Sequence, residues 1–254
     1  MGVSAEDIGA WDSNSLAMVT AQAPTQPITS ERSTEVVNGP PAGAKYAAEA
    51  IGTFFLVFTV GAAVGSGSQF APLAIGAVLM VMVYAGGHIS GGHYNPAVTL
   101  SVLVRRRITV RDAFMYWIVQ FGAGLLAAAV VRGFVDPARA TTTVSMTLTG
   151  HALVAAFVVE LLFTFALCYV VLNVATSKSR RDNSYFGLAI GFTVLAGAFA
   201  VGSISGGAFN PSVTVGAALM GTFAWATLWV YLVAQAIAGA AAGLTFLALN
   251  PDDK

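Results

Sequence analysis

Charge is what this sequence has least of. Only 9% of its 254 residues are Asp, Glu, Lys or Arg, against about 25% in ordinary soluble domains. That deficit excludes a water-facing surface for most of the chain. The 12 basic and 12 acidic residues cancel, leaving no net field to attract nucleic acid or an acidic polymer. Cysteine is nearly absent: Cys168 stands alone inside an apolar run, which excludes an intrachain disulfide and a thiolate metal site. The three histidines, His88, His93 and His151, lack the spacing of a metal-ligand set. No metal or cofactor is expected. No nucleophile–base set or phosphate loop is visible either, so an enzyme is not expected.

What is present is apolar, 56% of the chain. Residues 1–42 are the exception, with Asp7, Asp12, Glu31 and Glu35 among Ser, Thr, Gln and Pro. This segment has no stretch long enough to span a bilayer and no basic start followed by an apolar core. It reads as a polar, disordered cytoplasmic tail. Beyond it, six runs near 46–66, 72–88, 112–131, 150–173, 184–202 and 226–248 reach the roughly 20 residues that a spanning helix needs. Two further apolar pieces, 95–104 and 210–220, are about half that length and both open on Asn-Pro. Pro after an Asn cap is a helix start, so each piece should begin as a helix and stop half way across. The expected fold class is an all-α membrane protein: six transmembrane helices, two re-entrant half-helices and an inverted internal repeat. The channel domain would occupy 43–249, with repeats over about 43–131 and 150–249, and 250–254 would be a cytoplasmic end.

Basic residues set the orientation. Lys45, Arg105, Arg106, Arg107, Arg111, Lys178, Arg180 and Arg181 fall on one side with both termini, and Arg132 and Arg139 on the other. Both termini are therefore expected in the cytoplasm, and the Arg105–Arg107 run reads as a solvated loop at the lipid headgroups.

The two Asn-Pro segments are copies. Gly87-His88-Ile89-Ser90-Gly91-Gly92-His93-Tyr94-Asn95-Pro96-Ala97-Val98-Thr99 matches Gly202-Ser203-Ile204-Ser205-Gly206-Gly207-Ala208-Phe209-Asn210-Pro211-Ser212-Val213-Thr214, 115 positions later. The same offset carries Tyr116 to Tyr231, Gln120 to Gln235 and Gly124 to Gly239, while Glu49 matches Glu160 at an offset of 111. With three spans in each half, the second half must lie upside down relative to the first. Inverted repeats with broken helices near the midplane mark a permeation site, because irregular backbone at that depth is tolerated only in a watery cavity or inside protein. An intramembrane carboxylate is by default a functional candidate. For Glu49 and Glu160 a structural brace is the first reading, with a proton relay as the alternative. Gly239 and Gly243 are small residues that allow close helix approach, within the bundle or between subunits.

Over about residues 44–249 the chain resembles the aquaporin, or major intrinsic protein, family. The resemblance rests on the Glu-x-x-x-Thr-Phe start of each half and on the two Asn-Pro segments. It implies a passive pore in the lipid bilayer for water and small neutral solutes, built around Asn95, Pro96, Ala97, Asn210, Pro211 and Ser212. Ser212 stands where the family usually has Ala. Opposed half-helix N-termini, each near +0.5 elementary charge, exclude cations and protons in aquaporin-type pores, and this property is carried over with the resemblance. His93 resembles the family's pore-lining histidine, whereas His88 has the alternative of a structural role. Gly91, Gly92 and Gly206 would line the path with backbone carbonyls, and Glu49 and Glu160 would accept hydrogen bonds from the re-entrant loops. A homotetramer is implied.

One departure matters. Most members place an Arg three residues after the second Asn; here that residue is Val213, and no Lys or Arg occurs between 182 and 253. The other filter positions align with Ile75, Ala198 and Gly207. Glycerol facilitators follow the Arg with Asp, where this chain has Thr214. Gly207 replaces the cysteine of mercury-sensitive relatives, so little mercury block is expected unless Cys168 reaches the lumen. The expectation is a permissive pore for water and candidates such as glycerol, urea, ammonia or hydrogen peroxide. The competing readings are a secondary transporter with inverted repeats and a non-conducting structural membrane protein.

Overall fold

A computed structural model describes residues 39–137, 146, 148–180 and 182–253. The expected tail lies outside these residues as far as position 38, as do Arg139 and Arg181. Eight α-helices run through the described residues: α1 Ala42–Gly65, α2 Ala71–Ser90, α3 Pro96–Val104, α4 Val110–Val130, α5 Gly150–Val171, α6 Phe186–Ser205, α7 Pro211–Leu219 and α8 Leu228–Leu249. π-Helical turns extend α4 through Val131–Val135 and α5 through Leu172–Thr176. Six of these helices are long and apolar enough to cross a membrane. The nine-residue α3 and α7 reach only about 14 Å at 1.5 Å per residue, half of a hydrocarbon core.

The first helix starts four residues before its apolar run. Pro41 is its N-cap, held in the extended region, and Tyr46 in the first turns donates to Asp112 Oδ1 at 2.8 Å. Polar side chains at that end are thus tied to the start of α4.

The halves interlock. Helix α1 packs on α2 and α4 as α5 packs on α6 and α8, and the half-helix of each half lies on the last span of the other: α3 on α8 and α7 on α4. The outer face of the bundle is apolar, and a set of polar side chains is buried within its largely apolar core. Ile51, Phe55, Phe114, Ile118, Leu162, Phe192 and Leu244 are exposed, whereas Glu49, Gln120, Glu160 and Gln235 are fully buried. Lipid tails are as apolar as these side chains, so helix association depends on close packing of small residues. Helices α2 and α6 meet at Gly76 and Gly191, where a Cβ added to Gly191 would lie 2.5 Å from the Gly76 carbonyl oxygen. Gly239 and Gly243 do the same against α3, meeting Ala97 and Val104, so this pair serves packing inside the bundle.

Candidate functional site

Each half-helix is launched by a loop of fixed backbone. Helices α2 and α6 end in Gly91 and Gly206, with φ of 91° and 88°, followed by Gly92 and Gly207, both at φ 64°. These left-handed conformations favour glycine. Two residues on, Tyr94 and Phe209 also lie in the left-handed region, at φ 49° and 47°, which costs about 1–2 kcal/mol for a residue with a Cβ.

Buried carboxylates offset that cost. Glu49 Oε1 accepts from Ser90 Oγ at 2.7 Å and the His93 N–H at 2.9 Å, and Oε2 accepts from the Tyr94 N–H at 2.7 Å and Gln120 Nε2 at 2.8 Å. Glu160 repeats the set: Ser205 Oγ at 2.7 Å, the Ala208 N–H at 2.9 Å, the Phe209 N–H at 2.8 Å and Gln235 Nε2 at 3.0 Å. Gln120 and Gln235 give their second N–H to Thr99 and Thr214, at 3.0 and 2.9 Å. Those hydroxyls donate to the carbonyls of Asn95 and Asn210. Every link of this chain obeys the repeat. The matched glutamines were visible in the sequence as copies, although copying alone did not reveal their partner.

The two asparagines are oriented at both ends of the amide. Asn95 Oδ1 caps the Ala97 N–H at 2.8 Å and Asn210 Oδ1 caps the Ser212 N–H at 2.9 Å. Asn95 Nδ2 donates to the Phe209 carbonyl and Asn210 Nδ2 to the Tyr94 carbonyl, both at 2.9 Å. An amide has two N–H groups, so each asparagine keeps one donor beyond this cross-bond. The N-termini of α3 and α7 therefore meet inside the bundle.

Both asparagines line one cavity of about 290 Å³. His93, Gly92, Gly206, Gly207, Ile75, Ala198 and Val213 line it too, within a wall of Leu56, Leu79, Leu167, Ile190 and Val194. Ala198 and Gly207 are neighbours: a Cβ added to Gly207 would lie 3.4 Å from the Ala198 Cα. A second cavity of about 530 Å³ opens on the side of Lys45, Arg107 and Asp112, and Gly91 belongs to its wall. His93 and Val171 line both cavities and so stand at the neck between them. The His93 ring is buried, with Nδ1 3.0 Å from Thr99 Oγ1 and its face edge-on to Tyr116 at 5.2 Å between ring centres. His88 is exposed on α2 and lines neither cavity. Pro96, Ala97, Pro211 and Ser212 are buried and line neither cavity; they fix the helix starts. Ser212 Oγ has no hydrogen-bond partner among the described residues.

Sequence reasoning missed the far end of the central cavity, where Met146, Met220, Thr222 and Phe223 close in. It also misread Arg105. That side chain is buried, not solvated: its guanidinium donates to Thr176 Oγ1 at 2.6 Å, the Thr176 carbonyl at 2.9 Å, and the Asp253 carbonyl and Oδ1 at 2.8 and 3.0 Å. It lies 4.0 Å over the Phe246 ring. A C-terminal carboxylate far away in sequence provides the compensation that burying an Arg requires.

The family model described as Major intrinsic protein matches residues 38–246. The chain is 37% identical to Glycerol uptake facilitator protein-like 6 of Lactiplantibacillus plantarum, over 82% of this chain and 99% of that one. It is 35% identical to Aquaporin NIP2-1 of Oryza sativa subsp. japonica, over 82% and 71%. Among solved structures, that of the aquaglyceroporin from Plasmodium falciparum superposes with a TM-score of 0.66 at 21% identity, covering 81% of this chain and 96% of that one.

Proposed function

The chain belongs to the major intrinsic protein family, and from that premise we propose that its pore is permissive, passing small neutral solutes beside water. The protein is an integral, multi-pass passive channel for water and small solutes, not an enzyme. The proposed filter is Ile75, Ala198, Gly207 and Val213. The observation that carries the proposal is that these four residues share one cavity wall and that none offers a charge or a side-chain N–H. A water molecule there finds fewer partners to replace its lost hydration, and the small side chains leave width for a larger molecule. Glycerol, urea, ammonia and hydrogen peroxide are the candidate solutes. A glycerol uptake facilitator among the relatives supports including glycerol.

Protons and ions are excluded, in this reading, where α3 and α7 point their N-termini together. Two partial positive ends of about +0.5 elementary charge oppose any cation, and the free N–H of each asparagine orients a passing oxygen so that no proton wire forms. Both termini lie in the cytoplasm, supported by the excess of Lys45, Arg105, Arg106, Arg107, Arg111, Lys178 and Arg180 on their side. Four copies assemble, each with its own pore, as the family resemblance implies.

The deciding experiment is stopped-flow light scattering of proteoliposomes across a panel of neutral solutes. Linear, bidirectional flux of water and of at least one larger solute is expected. Passage of water alone would remove the permissive reading.

A further inference from the structure

The two mouths of the pore are related by the internal repeat, and at one place they break it. In the first half, two rings meet Tyr116 edge-on: Tyr46 from α1, at 6.0 Å between centres, and His93 from the re-entrant loop, at 5.2 Å. The repeat partner of Tyr116 is Tyr231, and that of His93 is Ala208, which has no ring to offer. The ring that meets Tyr231 is Phe223, from the segment after α7, and it lies stacked, not edge-on, at 4.7 Å between centres and 21° between planes. The repeat partner of Phe223 is Ile108, which lines the opposite mouth. A polar ring at one neck is thus matched by an apolar ring at the other, reached from a different part of the chain.

Phe223 is held there from several directions. The Tyr231 hydroxyl donates to the Ser205 carbonyl at 2.7 Å and lies 3.9 Å from Met146 Sδ, fixing the platform on which Phe223 stacks. Met146 pairs with Phe223 in an isolated parallel bridge, its N–H donating to the Thr222 carbonyl at 2.9 Å. On the pore side the ring abuts the Gly206 turn, where an added Cβ would fall 2.5 Å from Phe223 Cε1. Phe223 is 3% exposed, yet it lines the central cavity together with Met146, Met220, Val213 and Gly207. With Val213 offering no charge, the bulk near this mouth comes from Phe223 and the two methionines.

We propose that Phe223 is a specificity-determining residue of this channel: its ring edge over the Gly206–Gly207 turn sets the width and apolar character of the mouth opposite Lys45 and Arg107. This rests on the permissive reading of the filter and deepens it. A solute entering there meets a ring and thioethers where its hydration must be shed, so passage is ranked by girth and by the hydrogen bonds given up.

The test uses the full chain in proteoliposomes, with water, urea and glycerol permeabilities measured by stopped flow for wild type, Phe223→Ala, Phe223→His and Phe223→Leu. Phe223→Ala should raise the glycerol-to-water ratio by about tenfold, the scale on which an apolar pocket discriminates small size differences. Phe223→His places a polar ring like that of His93 at this neck and should lower the ratio by raising water flux. Phe223→Leu keeps an apolar side chain and should lie near wild type. Met146→Ala thins the same wall while keeping both rings of the stack and the backbone bridge to Phe223, and should move the ratio in the direction of Phe223→Ala if that variant fails to fold. Ratios unchanged in all the folded variants overturn the assignment. If wild type passes only water, the permissive filter falls by itself, while the role of Phe223 still stands or falls on whether Phe223→Ala or Met146→Ala opens a urea or glycerol flux.

Discussion

Asn95 and Asn210 are bound to one another's loops: the amide of each donates, at 2.9 Å, to the carbonyl of the residue preceding the other. Replacing either by Ala removes an N-cap, about 1 kcal/mol, and orphans a buried carbonyl, about 1–3 kcal/mol. Each single variant should lose about 2–3 kcal/mol. Because the two cross-bonds lock the same junction, the double variant should fall short of the sum by about 1 kcal/mol. Unfolding in detergent, run as a double-mutant cycle, measures this. Strict additivity would show that the two residues act as separate caps.

Glu49 and Glu160 each receive four donors, two per oxygen. Glu160→Gln puts an NH₂ group where two donors already point, whichever way the amide is turned. About 3–5 kcal/mol should be lost, as for breaking a buried charged network, and water permeability should fall as the loop at Phe209 relaxes. A variant with wild-type thermal stability would mean that the carboxylate does not hold the loop.

Much of this architecture was legible because it is written twice. The Asn-Pro pair, the Gly-Gly steps and the glutamates recur at fixed offsets, and the folded chain gives each copy the same dihedral angles and partners. What could not be read lies where the repeat fails or where contact depends on chain ends. Phe223 has Ile108 as its counterpart, so no duplication flags it. Arg105 finds Asp253 across 148 positions, and an Arg in a basic run gives no local sign that it will be buried. Length and hydropathy located the spans but placed helix ends only to within a few residues, since local caps set them, an extended Pro41 before α1 and the Thr109 side chain before α4.

Val213 is 5% exposed in the first turn of α7 and borders the central cavity. Val213→Arg adds a long cationic side chain at a wall enclosing only about 290 Å³. Glycerol and urea flux should drop about tenfold or more, while water, smaller and able to accept from the guanidinium, should be affected least. Equal loss for every solute would indicate a collapsed pore, and no loss would show that Val213 is not at the constriction.

Mercury sensitivity separates the lumen from the core. Cys168 is fully buried and lines neither cavity, so an ion in the lumen does not meet its sulfur. Mercuric chloride should therefore leave wild-type water flux unchanged. Ala198→Cys places a thiol on the cavity wall from a helical position and avoids the left-handed backbone of Gly207. That variant should be blocked by mercury and rescued by a reducing thiol; block of the wild type would put Cys168 within reach of the lumen.

Asp253 closes the end of the chain on the mouth that carries Lys45. Its carboxylate accepts from the Lys178 N–H at 2.8 Å, Ser177 Oγ at 3.0 Å, Arg105 at 3.0 Å and Arg107 at 3.3 Å. Thr176 and Ser177 both line the mouth cavity. Burial pushes this carboxyl up, but the Lys178 N–H, Arg105 and Ser177 outweigh it and hold it down at about 2. A carboxylate whose folded value lies below its unfolded one, near 3.9, contributes stability that is complete above about pH 5 and is lost as pH falls toward 2. Thermal stability in detergent should therefore show no Asp253-dependent change between about pH 5 and 8. Asp253→Ala leaves the buried Arg105 guanidinium with Thr176 and the backbone carbonyl of position 253 but no carboxylate, and should cost about 3 kcal/mol, the low end for breaking a buried pair. Its deficit relative to wild type should shrink as pH is lowered below 4, because protonation removes from the wild type the same charge that the variant lacks. A deficit that stays constant down to pH 2 would mean that packing of the chain end, not the carboxylate, holds Arg105 in place.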